Sequence, residues 1–136
     1  MDFSGSWENK DTKTQSSLRA RSKSFGYAFS GIKLFFQQEH NAILHVVATI
    51  LVICLAFILP VSTVEIILLT FSVGFVWIAE LFNTAIEKVM DFISTEKQAP
   101  IKYIKDLSAA AVLIAAGTAF VTGFVVFIPK LLLCLA

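Results

Sequence analysis

Hydrophobic and polar positions change their rhythm several times along the chain, and each change predicts an element. Residues 1–21 are rich in Ser, Thr, Asp, Lys and Gln, with little apolar pattern after Trp7, which predicts a disordered polar tail. Over 22–38 the spacing becomes helical: Phe25, Phe29, Ile32 and Phe36 recur on one face, while Lys23, Ser30, Lys33 and Gln37 fill much of the rest. An aromatic and basic amphipathic helix of this kind is expected to lie in a membrane interface.

Three apolar stretches follow. Residues 42–59 form the first predicted span: eighteen residues without a formal charge, closed by Pro60 and long enough at ~1.5 Å per residue for one crossing. The turn Pro60-Val61-Ser62-Thr63 leads into a second span over 64–92. Its apolar part, Ile66 to Ala79, is fourteen residues and covers only ~21 Å of a ~30 Å core, so Glu80 is expected at the membrane boundary. The third span is predicted over 106–128, uncharged from Leu107 to Ile128 and ended by Pro129, with 131–136 left as an apolar tail. Its Ala115, Ala119 and Gly123 repeat every four residues, which predicts close helix approach. The fold class is therefore an all-α integral membrane protein: a surface helix plus three transmembrane helices, in a membrane domain over 22–130.

Composition agrees. A chain of 136 residues that is 57% hydrophobic, with 13 Phe, is too apolar for a soluble domain of this size. Residues 1–20 show no apolar core or cleavage site of a signal peptide, so the first span is expected to direct targeting. The net charge of +1 says little about partners, and no nucleic acid is expected among them, but the placement of the charges does matter. Six Lys or Arg precede the first span, four lie between Glu87 and the third span, and only Lys130 falls on the other side. By the positive-inside rule the amino terminus and the connection between spans two and three face the cytoplasm, and the carboxy terminus lies opposite. Cys54 and Cys134 sit in apolar surroundings and read as inert thiols. His40 and His45 are five apart, not at the i, i+4 metal spacing, and His45 is expected to satisfy a hydrogen bond near the interface.

The candidate chemistry lies in Ala79-Glu80-Leu81-Phe82-Asn83-Thr84-Ala85-Ile86-Glu87-Lys88-Val89-Met90-Asp91. At about 100° per residue, Glu80, Asn83 and Glu87 fall within roughly 60° of one another, flanked by Thr84 and Asp91. Leu81, Phe82, Ile86 and Val89 make the opposite face. Ionisable groups at the edge of a hydrocarbon layer are costly unless paired, hydrated or metal-bound, which marks a functional site; a solvated helix end is the plainer alternative. Topology brings Glu39, the Glu80 stripe and Lys105-Asp106 to the same boundary, and leaves Glu65 alone at the other. Carboxylates, an amide and a lysine at one depth suit a polyanion with a divalent cation such as Mg²⁺. There is no GxxxxGK[ST] loop and no HRD or DFG set, so a nucleotide would be held by side chains projecting from helices.

Glu39 before the first span, the stretch Ala79–Asp91, and Lys105-Asp106-Leu107-Ser108-Ala109-Ala110-Ala111-Val112-Leu113 opening the third span together resemble the prokaryotic diacylglycerol kinase family, which includes undecaprenol kinases. The similarity runs from about Phe25 to Ile128. The resemblance implies a homotrimer in the bacterial inner membrane, with sites at subunit boundaries facing the cytosol, and a part in lipid metabolism. It implies an ATP- and Mg²⁺-dependent kinase acting on the primary hydroxyl of diacylglycerol or undecaprenol. Position by position, Glu80 would be the general base, Glu39 and Glu87 would hold the metal, and Asn83 would order the site. Lys105 would contact the phosphates, and Tyr27, Asp91, Glu96 and Asp106 would contact or support the nucleotide. Lys97-Gln98 stands where many members carry Tyr-His, a departure that bears on adenine contact. Two other classes compete: an ion- or proton-coupled transporter, which needs polar groups through the bilayer's thickness, and a non-catalytic lipid-binding assembly, which needs no Lys105-Asp106 opposite the stripe.

Overall fold

The computed structural model describes residues 18–39, 41–96 and 98–135, and the expectations for residues 1–17, for His40 and for Lys97 fall outside them. The described chain is helical: α1 (Leu18–Gln38), α2 (Asn41–Ile58), α3 (Thr63–Ile93) and α4 (Ala99–Leu135). Three of these, α2, α3 and α4, are long and apolar enough to cross a membrane. It is an all-α, multi-pass membrane protein.

The chain divides into two units, one ending at Leu34 and one starting at Phe35. In the first, α1 starts at Leu18, four residues before the predicted surface helix, and Phe25, Tyr27 and Phe29 are exposed. In the second, α3 packs mainly on α4 and more lightly on α2. The rungs between α3 and α4 are Glu65–Lys130, Ser72–Thr122, Asn83–Ser108 and Asp91–Lys105. One number rises as the other falls, so the helices are antiparallel. His45–Glu80 and Thr49–Trp77 give α2 and α3 the same relation, as short connections between neighbouring helices require.

Local signals set the helix ends. Ser62 caps α3: its hydroxyl accepts from the Glu65 amide while the Glu65 carboxylate accepts from the Ser62 amide, a reciprocal capping box. At the other end Ser94 closes the helix with its amide on the Met90 carbonyl at 3.1 Å. The helix α4 then opens at Ala99-Pro100, where proline's missing N–H costs nothing.

Three sequence expectations need correction. The helix α4 begins at Ala99, not at 106, because hydropathy detects the lipid-embedded part of a helix and not its polar extension. It also runs through Pro129 to Leu135. Losing one amide donor there is less costly than abandoning helical hydrogen bonding beside a membrane. That continuation carries Lys130 back to α3, where its Nζ lies 2.6 Å from Glu65 Oε1; Glu65 is not alone. The face of Ala115, Ala119 and Gly123, expected to allow close helix approach, stays open at Gly123 within the single chain. A Cβ added at Gly123 would meet only Phe127 of its own helix, at 3.9 Å. Ala119 and Gly123 instead line an apolar groove of about 540 Å³ that reaches from His45 and Trp77 to Leu131. The core of the unit, Leu59, Leu69, Val126 and Phe127, lies at the Glu65 end.

Candidate functional site

The site is built from α3 outward. Glu80 is 5% exposed, and a carboxylate so deep needs a partner. His45 of α2 supplies it, with Nε2 2.6 Å from Glu80 Oε1. The imidazole is itself held. Trp77, three residues before Glu80 and on the same helical face, sets its ring edge-on to His45 at 6.1 Å. The Trp77 indole N–H donates to Thr49 Oγ1 at 3.1 Å, and that hydroxyl donates to the His45 carbonyl at 2.7 Å. Phe35 and Phe36 pack their rings on the Trp77 indole. The expectation that His45 satisfies a hydrogen bond is met, with Glu80 as the partner.

One turn further along, Asn83 is gripped from α4. The Ser108 hydroxyl is 2.7 Å from Asn83 Oδ1 and 2.9 Å from the Lys105 carbonyl, so its one proton serves either acceptor. The Asn83 amide donates to Glu87 Oε1 at 3.4 Å, a long bond that leaves most of the carboxylate's capacity free. Thr84, a residue along, keeps a buried hydroxyl without a hydrogen-bond partner among the described residues. At the end of the helix Lys105 Nζ donates to Asp91 Oδ1 at 2.6 Å. Glu39 approaches Lys88 at 4.0 Å, which sets it beside the turn that carries Glu87.

Glu39, Glu80, Asn83, Glu87, Asp91 and Lys105 therefore gather on one end of the helical unit. Two other candidates of the same unit do not join them. Asp106 turns away from α3 and pairs with Lys102 of its own helix at 2.7 Å. Glu96 is exposed in the α3–α4 turn, its amide on Ser94 Oγ at 3.1 Å. Tyr27 belongs to the amino-terminal unit and is exposed. Sequence reasoning missed Ser108, Thr49 and Trp77; the only signal was a hydroxyl or indole in an otherwise apolar run.

Among the described residues no three His, Cys, Asp or Glu side chains come together as a ready-made metal cluster. Separate carboxylates with spare oxygens, such as Glu87 and Glu39, fit the other mode, in which Mg²⁺ takes one or two carboxylates and completes its shell with water and substrate phosphates.

Comparison with known proteins fits this geometry. Residues 26–127 match the family model described as prokaryotic diacylglycerol kinase. An undecaprenol kinase of Bacillus subtilis is 34% identical over 125 residues, covering 91% of this chain and 99% of that protein. A diacylglycerol kinase of Escherichia coli is 36% identical over 100 residues, covering 74% of this chain and 82% of that one. The chain belongs to the prokaryotic diacylglycerol kinase family.

Proposed function

We propose that the protein is a lipid kinase that moves the γ-phosphate of ATP to the primary hydroxyl of a membrane lipid alcohol, diacylglycerol or undecaprenol. The observation that carries this reading is the meeting of a cationic Lys105 on α4 with the acidic and amide stripe of α3, through Lys105–Asp91 and Ser108–Asn83. A polyphosphate needs cationic and hydrogen-bonding groups fixed at the point where negative charge develops.

In the reaction, Glu80 takes the proton of the lipid hydroxyl as its oxygen attacks the γ-phosphorus. The bond from that phosphorus to the bridging oxygen breaks, and ADP leaves. Asn83, fixed by Ser108, orients the groups around the transferred phosphoryl. Lys105 spends one N–H on Asp91 and has two more for phosphate oxygens. Glu39 and Glu87 would hold Mg²⁺ together with the phosphates, and the ion when bound neutralises their charge. Asp91 supports the nucleotide through Lys105, while Tyr27, Glu96 and Asp106 are assigned to it only by the family resemblance. The lipid tail remains in the hydrocarbon, where the apolar groove ending at His45 and Trp77 gives room beside Glu80, and proximity supplies much of the rate.

The charged end faces the cytoplasm, where ten of the eleven basic residues fall and where ATP is available. The working form is a homotrimer. Many large hydrophobic side chains on α2, α3 and α4 are exposed in the single chain, which leaves ample surface for other copies and for lipid. Glu80 itself is already buried by its own chain, so shelter for that group does not by itself require a second copy. A transport role is disfavoured because α3 carries no charged residue between Glu65 and Glu80, nor α4 between Asp106 and Lys130.

The test is transfer of labelled γ-phosphate from ATP with Mg²⁺ to diacylglycerol and to undecaprenol, each in mixed micelles. Metal-dependent transfer to one of them is expected and identifies the lipid; intact protein that labels neither contradicts the assignment.

A further inference from the structure

The proposed base does not stand by itself: a side chain of another helix holds it. Glu80 Oε1 and His45 Nε2 are 2.6 Å apart, with side-chain exposures of 7% and 12%. Glu80 can act as a base only when ionised, and an ionised carboxylate only accepts hydrogen bonds, so in that role the hydrogen of this contact belongs to Nε2. One carboxylate oxygen is thereby committed and the other is left for a substrate proton. The clamp on the imidazole comes from both helices. The Trp77 ring meets its edge, and the chain Trp77 N–H to Thr49 hydroxyl to His45 carbonyl ties indole, hydroxyl and histidine backbone together. His45 also lines the apolar groove, so it stands where hydrocarbon gives way to the charged end.

We infer that His45 is a positioning residue for the phosphoryl-transfer step: its Nε2–H fixes the Glu80 carboxylate in the orientation that accepts the lipid hydroxyl's proton. The inference rests on the kinase reading and adds to it a residue that acts only through Glu80. In low-dielectric surroundings a carboxylate that loses its donor is left underpaired and free to turn away from the substrate. Loss of the donor should therefore affect proton abstraction and leave nucleotide binding alone.

Glutamine and asparagine at position 45 separate the roles. Gln carries an amide nitrogen about as far along the side chain as Nε2; Asn carries it only as far as Nδ1, too short to reach Glu80. Wild type, His45→Gln and His45→Asn are assayed for ATP-dependent phosphorylation of diacylglycerol and undecaprenol in mixed micelles, with far-UV circular dichroism as a check of fold. His45→Gln should keep kcat within roughly threefold of wild type, and His45→Asn should lose roughly tenfold or more, with KM for ATP little changed in both. The other charged groups at this end, Glu39 with Lys88, Glu87 and Asp91 on α3, and Lys105 on α4, are common to all three proteins, and Phe35 and Phe36 of α1 bring no charge, so the difference between the two variants reports the donor at position 45.

Equal kcat in the two variants would overturn the inference while leaving an active wild type, and so the kinase reading, standing. A wild type that labels neither lipid would overturn that reading, and the inference with it. Should His45→Asn fail to fold, His45→Gln decides: kcat within roughly threefold of wild type with KM for ATP unchanged supports the role, and a larger loss of kcat contradicts it.

Discussion

The two ends of the α3–α4 pair use the same chemistry to opposite purposes. At one end Glu65 accepts from Lys130 Nζ, the Ser62 amide and the Ser62 hydroxyl, at 2.6, 2.7 and 2.7 Å. Its oxygens are occupied by short bonds, the helix cap is closed, and the core of Leu59, Leu69, Val126 and Phe127 lies alongside. At the other end Glu39, Glu80, Glu87 and Asp91 face two lysines, Lys88 and Lys105, and two of the contacts are loose: Asn83–Glu87 at 3.4 Å and Glu39–Lys88 at 4.0 Å. A lysine and a glutamate near a membrane boundary are thus not by themselves a site. Excess carboxylate, spare acceptor capacity and long bonds distinguish the end proposed to receive a cation-bound polyphosphate from the end that staples two helices.

The comparison can be broken at either end. The largest effect is expected for Glu80→Gln, which keeps the shape but cannot take a proton: kcat should fall about 10²- to 10⁴-fold, with helicity and ATP binding retained. Lys105→Met should follow, with a roughly tenfold to hundredfold loss in kcat/KM for ATP through lost charge stabilisation, measured in the same labelled-phosphate assay. Glu65→Gln acts on the staple; it should lower the unfolding temperature through loss of the charged acceptor and leave kcat unchanged, as read by thermal unfolding in detergent. The smallest change belongs to Gly123→Ala. With only Phe127 near the added methyl, better helix propensity should stabilise the chain by about 0.5–1 kcal/mol. Loss of assembly in that variant would instead put another copy's helix against this face.

How much of this was legible beforehand follows from what each feature depends on. The three spans were readable because long apolar runs have few other uses. The stripe of Glu80, Asn83 and Glu87 was readable because helical periodicity is local. The polar first turns of α4 and its passage through Pro129 were not, since hydropathy reports the surroundings of a helix and Pro limits it only when the chain has an alternative. Asp106 illustrates a second limit. It is adjacent to Lys105 in sequence, yet neighbours on a helix point about 100° apart, and only Lys105 reaches Asp91. His45–Glu80, Ser108–Asn83 and Lys130–Glu65 join residues 35, 25 and 65 positions apart. Such pairs depend on the register between helices, and periodicity within one helix carries no information about it.

The most direct test compares the two glutamates of α3 in one experiment: Glu80→Gln and Glu65→Gln, each measured for Mg²⁺-dependent transfer of the ATP γ-phosphate to diacylglycerol and undecaprenol, with ATP binding followed in parallel. Binding by both proteins, turnover by Glu65→Gln and none by Glu80→Gln is the predicted result. Turnover that survives in Glu80→Gln and is lost in Glu65→Gln would contradict the assignment of the site to the Glu80 end.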